Sequence, residues 1–157
     1  MTFPLPLMDP CYFCDLAAGH ASWSVVERTE LTMTVLNSRQ FEAGQCMVAT
    51  LRHAPTLLDL TGAEQAAVMG AAKRITNVFA TAYAPDGVLL YQNNGVGSGQ
   101  EVPHFHMHVV PRRPHSDWGF GPPHIARQEK SRPAHLDHAV VTDEKIQTAA
   151  LLRRYFP

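Results

Sequence analysis

His104-Phe105-His106-Met107-His108-Val109-Val110-Pro111-Arg112 puts three histidines at every second position, with apolar residues between them. Side chains of a strand alternate between faces. The pattern therefore predicts a β-strand over residues 104–110, with His104, His106 and His108 on one face and Phe105, Met107 and Val109 packed inward. Successive imidazoles would stand roughly 6.6 Å apart, twice the rise per residue. An anion bound across such a row meets a nucleophile, a donor and an orienting group together. The plainer alternatives are a metal-binding histidine cluster or an exposed strand rich in histidine.

Directly upstream runs Asn93-Asn94-Gly95-Val96-Gly97-Ser98-Gly99-Gln100-Glu101-Val102-Pro103. Alternate glycines let the backbone turn sharply and leave N–H groups unshielded, as a phosphate cradle requires. The glycine spacing is neither that of a dinucleotide fingerprint nor that of a P-loop, and no Lys-Ser/Thr closes it. Alone it would read as a plain turn. Ahead of aligned imidazoles it favours a phosphorus-centred substrate.

Working outward, residues 11–18 form a short apolar stretch of one or two helical turns, and Ser24–Arg28 and Leu31–Asn37 read as strands around Thr29-Glu30. Gly44 opens a third strand, Gln45–Thr50. Thr61-Gly62-Ala63-Glu64 is a capping box starting a long helix to about Tyr83, with Ala67, Ala71, Ile75, Val78, Phe79 and Ala82 as its buried stripe. Pro85-Asp86-Gly87 ends it, and Val88–Gln92 is a fourth strand. Residues 111–135 carry five prolines with little periodicity and read as an extended arm. Thr142 caps a last helix, Asp143–Tyr155, whose acidic start and basic end suit the helix dipole. One long helix among mostly consecutive strands predicts an α+β fold with a roughly five-stranded antiparallel sheet and a C-terminal helix.

The 157 residues suggest one domain, with a core at about 11–112 and the arm and last helix at 113–157. Thirteen basic side chains against fourteen acidic ones give no basic face for a nucleic-acid backbone. No apolar run is long enough for a membrane span, and MTFPLPLMDP lacks the marks of a signal peptide. Three cysteines fit a reducing compartment better than a disulfide framework, so a cytoplasmic location is expected.

Gly99 to Arg112 resembles the signature of the histidine triad (HIT) family of nucleotide-binding hydrolases and transferases. Other parts agree in order: Cys11-Tyr12-Phe13-Cys14, Asn37, Ala43-Gly44, Arg52-His53 and Leu58-Asp59-Leu60. The resemblance implies a HIT-like fold and a covalent nucleotidyl-histidine on His106, formed by attack on the α-phosphorus of a nucleotide ester, anhydride or phosphoramidate. Imidazole is a good nucleophile near neutral pH. His108 would hydrogen-bond phosphate oxygen, with His104 completing the triad. Backbone amides of Gly99, Gln100, Glu101 and Val102 would stabilise phosphoryl charge. Asn37 falls where the family binds ribose, and Asn93 where a polar group positions the phosphate or leaving group. Some members carry Ser or Thr where Glu101 stands. A carboxylate pointing inward would repel phosphate, so Glu101 is expected to offer its N–H and turn its side chain away.

Cys11 and Cys14 have C-x2-C spacing, the commonest first half of a zinc site. The resemblance supplies His53 and His104 as the second half, giving a structural Cys2His2 zinc and no organic cofactor. Buried thiols are the alternative reading, and Cys46 reads as core. Tyr12 and Phe13 are candidates for a base pocket or for core. His20, His115, His124, His135 and His138 lie outside the signature; the four in or beside the arm read as solvated, with a role for His115 and Trp118 at the site mouth as the alternative. The resemblance implies a purine nucleotide substrate and a homodimer. Two alternatives stand beside the hydrolase: a nucleotide-binding scaffold with little turnover, and a nucleotidyltransferase using the same intermediate.

Overall fold

The computed structural model describes residues 2–20, 22–40, 42–113 and 142–156. The proline-rich arm, with His115, Trp118, His124, His135 and His138, lies outside them. The expected α+β architecture is present. Five strands, β1 (Val25–Arg28), β2 (Thr32–Leu36), β3 (Cys46–Thr50), β4 (Gly87–Tyr91) and β5 (His106–Arg112), form one antiparallel sheet in the order β1-β2-β3-β5-β4. Helix α1 (Tyr12–Ala17) lies on one face and α2 (Gly62–Tyr83) on the other, with α3 (Asp143–Arg153) packed against β1 and α2.

Alternation along the strands divides the core in two. Met33, Val35, Met47 and Ala49 turn toward Phe13 and Leu16 of α1. Leu36, Cys46, Val48 and Val109 turn toward Val68, Ala71, Ile75 and Phe79 of α2. The central strands β2 and β3 are buried along their whole length, so both faces are covered. In the β3–β5 register Met47 pairs with His108 and Ala49 with His106. Those two imidazoles therefore project on the α1 face, while Met107, opposite Val48, joins the α2 core.

Helix α2 begins as its sequence dictates. Thr61 Oγ1 accepts from the Glu64 N–H, and the Glu64 carboxylate accepts from Thr61 N. Arg52 grips the same carboxylate in a two-point ion pair at 2.8 and 2.7 Å. Ala84, in the left-handed conformation, ends the helix before Pro85. The buried stripe contains Val68, while Ala67 sits at its margin, half-buried. Valine removes more apolar area from water than alanine does, and the helix turns to bury the larger group. Thr142 caps α3 by accepting from Lys145 N.

Several boundaries shift by one or two residues, and one of these shifts bears on the site. The last strand starts at His106, not His104. Pro103 has no N–H to give to a ladder, and the His104 N–H bonds Val102 O at 2.8 Å in a turn. The Phe105 N–H goes to Ala54 O instead of to β3. The row of three histidines is thereby divided before the strand begins.

Candidate functional site

On the α1 face, a cavity of about 310 Å³ opens beside β5, large enough for a small ligand. Its floor is His106 and His108. Phe13, Met47 and Tyr91 provide apolar walls, and Tyr12 and Met8 close the N-terminal side. Asn37, Ser38 and Arg39 come from the turn after β2; Asn93, Gly99, Glu101 and Val102 come from the glycine loop. Gly95 and Gly99 both have positive φ, at 80° and 82°. At Gly95 a Cβ would also meet Phe3 at 2.7 Å. The Val96 N–H donates to Pro4 O at 2.9 Å, which lays the N-terminal segment across the loop and brings Met8 to the cavity.

Hydrogen bonds fix which nitrogen of each histidine carries the proton. His106 Nδ1 lies 2.8 Å from the His104 carbonyl oxygen. A carbonyl only accepts, so the proton is on Nδ1 and the lone pair is on Nε2. His108 Nδ1 lies 3.1 Å from the amide nitrogen of Gln45. An amide nitrogen only donates, so a neutral His108 carries its proton on Nε2. The Tyr91 ring stacks on His108 at 4.3 Å, and Phe13 packs against His106 at 4.8 Å. The His106 and His108 rings are 5.0 Å apart, closer than strand spacing alone would hold them. Burial holds His106 below the usual histidine range, so it stays neutral. One imidazole thus offers a lone pair and its neighbour a donor.

His104 is fully buried and belongs to a different cluster. Its Nε2 donates to Thr50 O at 2.9 Å, leaving the Nδ1 lone pair 3.5 Å from Cys11 Sγ and 3.7 Å from Cys14 Sγ. His53 Nδ1 is 3.3 Å from Cys14 Sγ. The four donor atoms lie within 4.8 Å of one another and could hold a metal ion. Desolvation and its neighbour Cys11 push the Cys14 thiol up to about 11, while burial brings the His104 imidazole down to about 4. A cation would reverse the first effect by stabilising thiolate.

The remaining expected residues divide by position. Asn37, Asn93, Gly99, Glu101 and Val102 reach the cavity. Asn37 is nearly buried, its Oδ1 accepting from the Arg39 N–H, and the Asn93 amide donates to Gly99 O. The Gln100 side chain turns into the loop. Its nitrogen donates to Pro55 O and Val102 O, and its oxygen accepts from Gly95 N, so it braces the loop from within. The Glu101 carboxylate leans to the mouth, 3.7 Å from Arg39. Cys46 is core, and His20 is exposed beside Asp15. Sequence reasoning missed Met8, Arg39, Gln45 and Tyr91. The pairing of Tyr91 with His108 follows once the β4–β5 register is known. Arg39 and Met8 lie in irregular segments where no periodicity points to them.

Residues 19–115 match the family described as HIT domain. Cys11 and Cys14 precede the matched span. An adenylylsulfatase of Arabidopsis thaliana is 26% identical over 107 residues, 68% of this chain and 54% of that protein, so the match spans about half of that relative. An adenosine 5'-monophosphoramidase of Schizosaccharomyces pombe is 27% identical over 111 residues, 71% of this chain and 80% of the other. A bis(5'-adenosyl)-triphosphatase of Dictyostelium discoideum is 32% identical over 85 residues, 54% and 57% of the two chains. Among solved structures, a HIT-like protein of Bartonella henselae superimposes with a TM-score of 0.75 at 18% identity, covering 96% of this chain and 99% of that one. A zinc-bound histidine triad protein of Mycobacterium smegmatis gives 0.73 at 24% identity, covering 93% and 92%.

Proposed function

Because the chain belongs to the HIT domain family, we propose that it is a nucleotide hydrolase working through a covalent nucleotidyl intermediate on His106. Some relatives in the family carry the names of nucleotide hydrolases. The observation that carries the reading is the His106 Nδ1 bond to the His104 carbonyl, which leaves a neutral Nε2 lone pair at the cavity floor. Nε2 attacks the α-phosphorus, forming a P–N bond as the bond to the leaving group breaks. The Nε2–H of His108 hydrogen-bonds a phosphoryl oxygen, and Gln45 keeps that imidazole in the donating tautomer, while the leaving group departs as its anion or takes its proton from solvent water. Water then attacks phosphorus, displaces His106 and releases the nucleoside monophosphate. Amides of the glycine loop meet the charge on the phosphoryl oxygens, and Asn37 holds the ribose hydroxyls. Tyr12, Phe13 and Met47 supply an apolar slot for a purine.

For the metal cluster we propose zinc. Two thiols and two imidazoles suit a tetrahedral, closed zinc site, and the Mycobacterium relative is described as zinc-bound. Bound there, zinc would neutralise the thiolates and tie α1 to the end of β3 and the start of β5. His104 thus positions its neighbour through its carbonyl while its ring serves the metal. Two copies are proposed to pair along the open edge of β4, where Leu90 is exposed.

The test is intact-mass spectrometry of wild type and His106→Ala, quenched cold after brief exposure to adenosine phosphoramidate or diadenosine tetraphosphate, with adenosine monophosphate measured in the same tubes. An adduct or product from wild type, absent in the variant, is the expected result. Nucleotide binding without either would leave the scaffold reading in its place. Transfer to added phosphate in preference to water would make the chain a transferase.

A further inference from the structure

Lys145 stands in the first turn of α3, beyond the residues that match the family. It is only 5% exposed, and lysine is almost never so buried unless its amine is paired. The Nζ donates to Ser38 O at 2.6 Å. Ser38 O and the Arg39 N–H belong to one planar peptide group. The other end of that group, the Arg39 N–H, donates to Asn37 Oδ1 at 3.0 Å. A single peptide thus joins the α3 amine to the Asn37 side chain, and Asn37, Ser38 and Arg39 all line the cavity. The Asn37 backbone is held separately, its N–H bonded to Gln45 O at 2.9 Å. What the peptide controls is therefore the Asn37 side chain. Helix α3 is itself anchored: Ala149 and Leu152 are buried in the α2 core, and Arg153 Nε donates to Val25 O at 2.7 Å. The amine acts from a fixed base.

We propose that Lys145 is a positioning residue for the nucleotide sugar: by holding the Ser38–Arg39 peptide, it fixes the Asn37 amide toward the ribose hydroxyls. This rests on the nucleotide reading above, in which Asn37 holds the ribose, and deepens it. Without the amine, the peptide can turn about its flanking bonds, its N–H leaves Asn37 Oδ1, and the amide is free to rotate. A side chain already held in one orientation loses little rotamer freedom when the sugar binds, so its hydrogen bonds contribute more. Packing alone does not call for the amine, since methionine fills similar space with no charge to desolvate.

Titration calorimetry compares adenosine monophosphate with its 2',3'-dideoxy analogue on wild type, Lys145→Met, Asn37→Ala and the double variant, with melting temperatures read beside them. Wild type is expected to favour the ribonucleotide by about tenfold, equal to one well-placed hydrogen bond. Lys145→Met should cut that preference about fivefold, by weakening ribonucleotide binding and leaving dideoxy binding unchanged. In the Asn37→Ala background the same substitution should leave the ratio where Asn37→Ala puts it. Lys145→Gln, whose side chain is one bond shorter and drawn back from Ser38 O, carries the same expectation should the methionine variant fail to fold. A ratio within about twofold of wild type, whatever the melting temperature does, overturns the proposal, because a purely structural lysine weakens both ligands alike. An unchanged ratio in Asn37→Ala overturns it too, by removing the ribose contact through which Lys145 works. Turnover is read separately. A wild type that binds the ribonucleotide but cleaves no substrate ends the hydrolase reading, and the ratios still decide the role of Lys145.

Discussion

His106 Nδ1 donates to the carbonyl of His104 across 2.8 Å, so the backbone of one histidine sets the tautomer of the next. The bond needs the turn that Pro103 and His104 make before β5, because in a regular strand that carbonyl would face the neighbouring strand. Position, tautomer and nucleophile are thereby set by one local kink.

Replacing His106 with Ala should abolish the nucleotidyl adduct and lower product release by roughly 10³-fold or more, while nucleotide affinity changes little. Rapid-quench assays beside equilibrium binding give both numbers from one preparation.

Gln45→Leu removes the donor that holds His108 with its proton on Nε2. A drop in kcat of about tenfold, equal to the loss of one well-placed hydrogen bond, is expected with the melting temperature nearly unchanged. A change in KM alone would place Gln45 in binding.

Elemental analysis should find one zinc per chain in wild type and none in Cys11→Ser/Cys14→Ser. Chelation should lower the melting temperature of wild type by about 5 °C or more and leave the double variant unmoved, since ligands that bind only the folded state stabilise it.

Glu64 is nearly buried, and the Arg52 guanidinium holds its carboxyl at about 2, below an ordinary value near 4.5. A folded pKa below the unfolded one adds stability that is full above the unfolded value and disappears as pH falls through the folded one. Acid unfolding should therefore steepen between about pH 4.5 and 2. Glu64→Gln should flatten that dependence and cost about 2 kcal/mol at neutral pH, by replacing the charged two-point acceptor of Arg52 with a neutral one. Urea midpoints across pH measure both.

Gly44 has a φ of 91°, and an added Cβ would come within 2.6 Å of the Tyr83 ring. Gly44→Ala is expected to destabilise by about 2 kcal/mol, combining backbone strain and a clash. Tyr83→Leu in the same chain should recover part of that loss, because only the clash is relieved.

Much of this fold was legible because its elements obey simple periods. The capping box at Thr61–Glu64, the alternation of Met33 and Val35 with Thr32 and Thr34 in β2, and Gly44 ahead of β3 are local signals, and they gave those elements nearly to the residue. One feature escaped for a physical reason. The start of β5 depends on where the N–H groups of His104 and Phe105 go, which is decided by Val102 and the distant Ala54. The side chain of Gln100, for which the sequence carries no signal, is held in the loop by Pro55, Val102 and Gly95. Asn37 and Asn93 were legible through the family resemblance and from no spacing of their own. Arg39 was not legible, because a charged residue in a short turn carries no pattern.

The pairing of Ala49 with His106 and Met47 with His108 has a consequence for how this stretch can change over time. Between Pro103 and His108, substitutions alter one side chain each, but deletion of a single residue inverts the faces. Met107 would enter the cavity and both imidazoles would be pressed into the α2 core. In a library of random insertions and deletions, survivors should therefore avoid this stretch altogether. The sheet register thus ties the length of this segment to its chemistry.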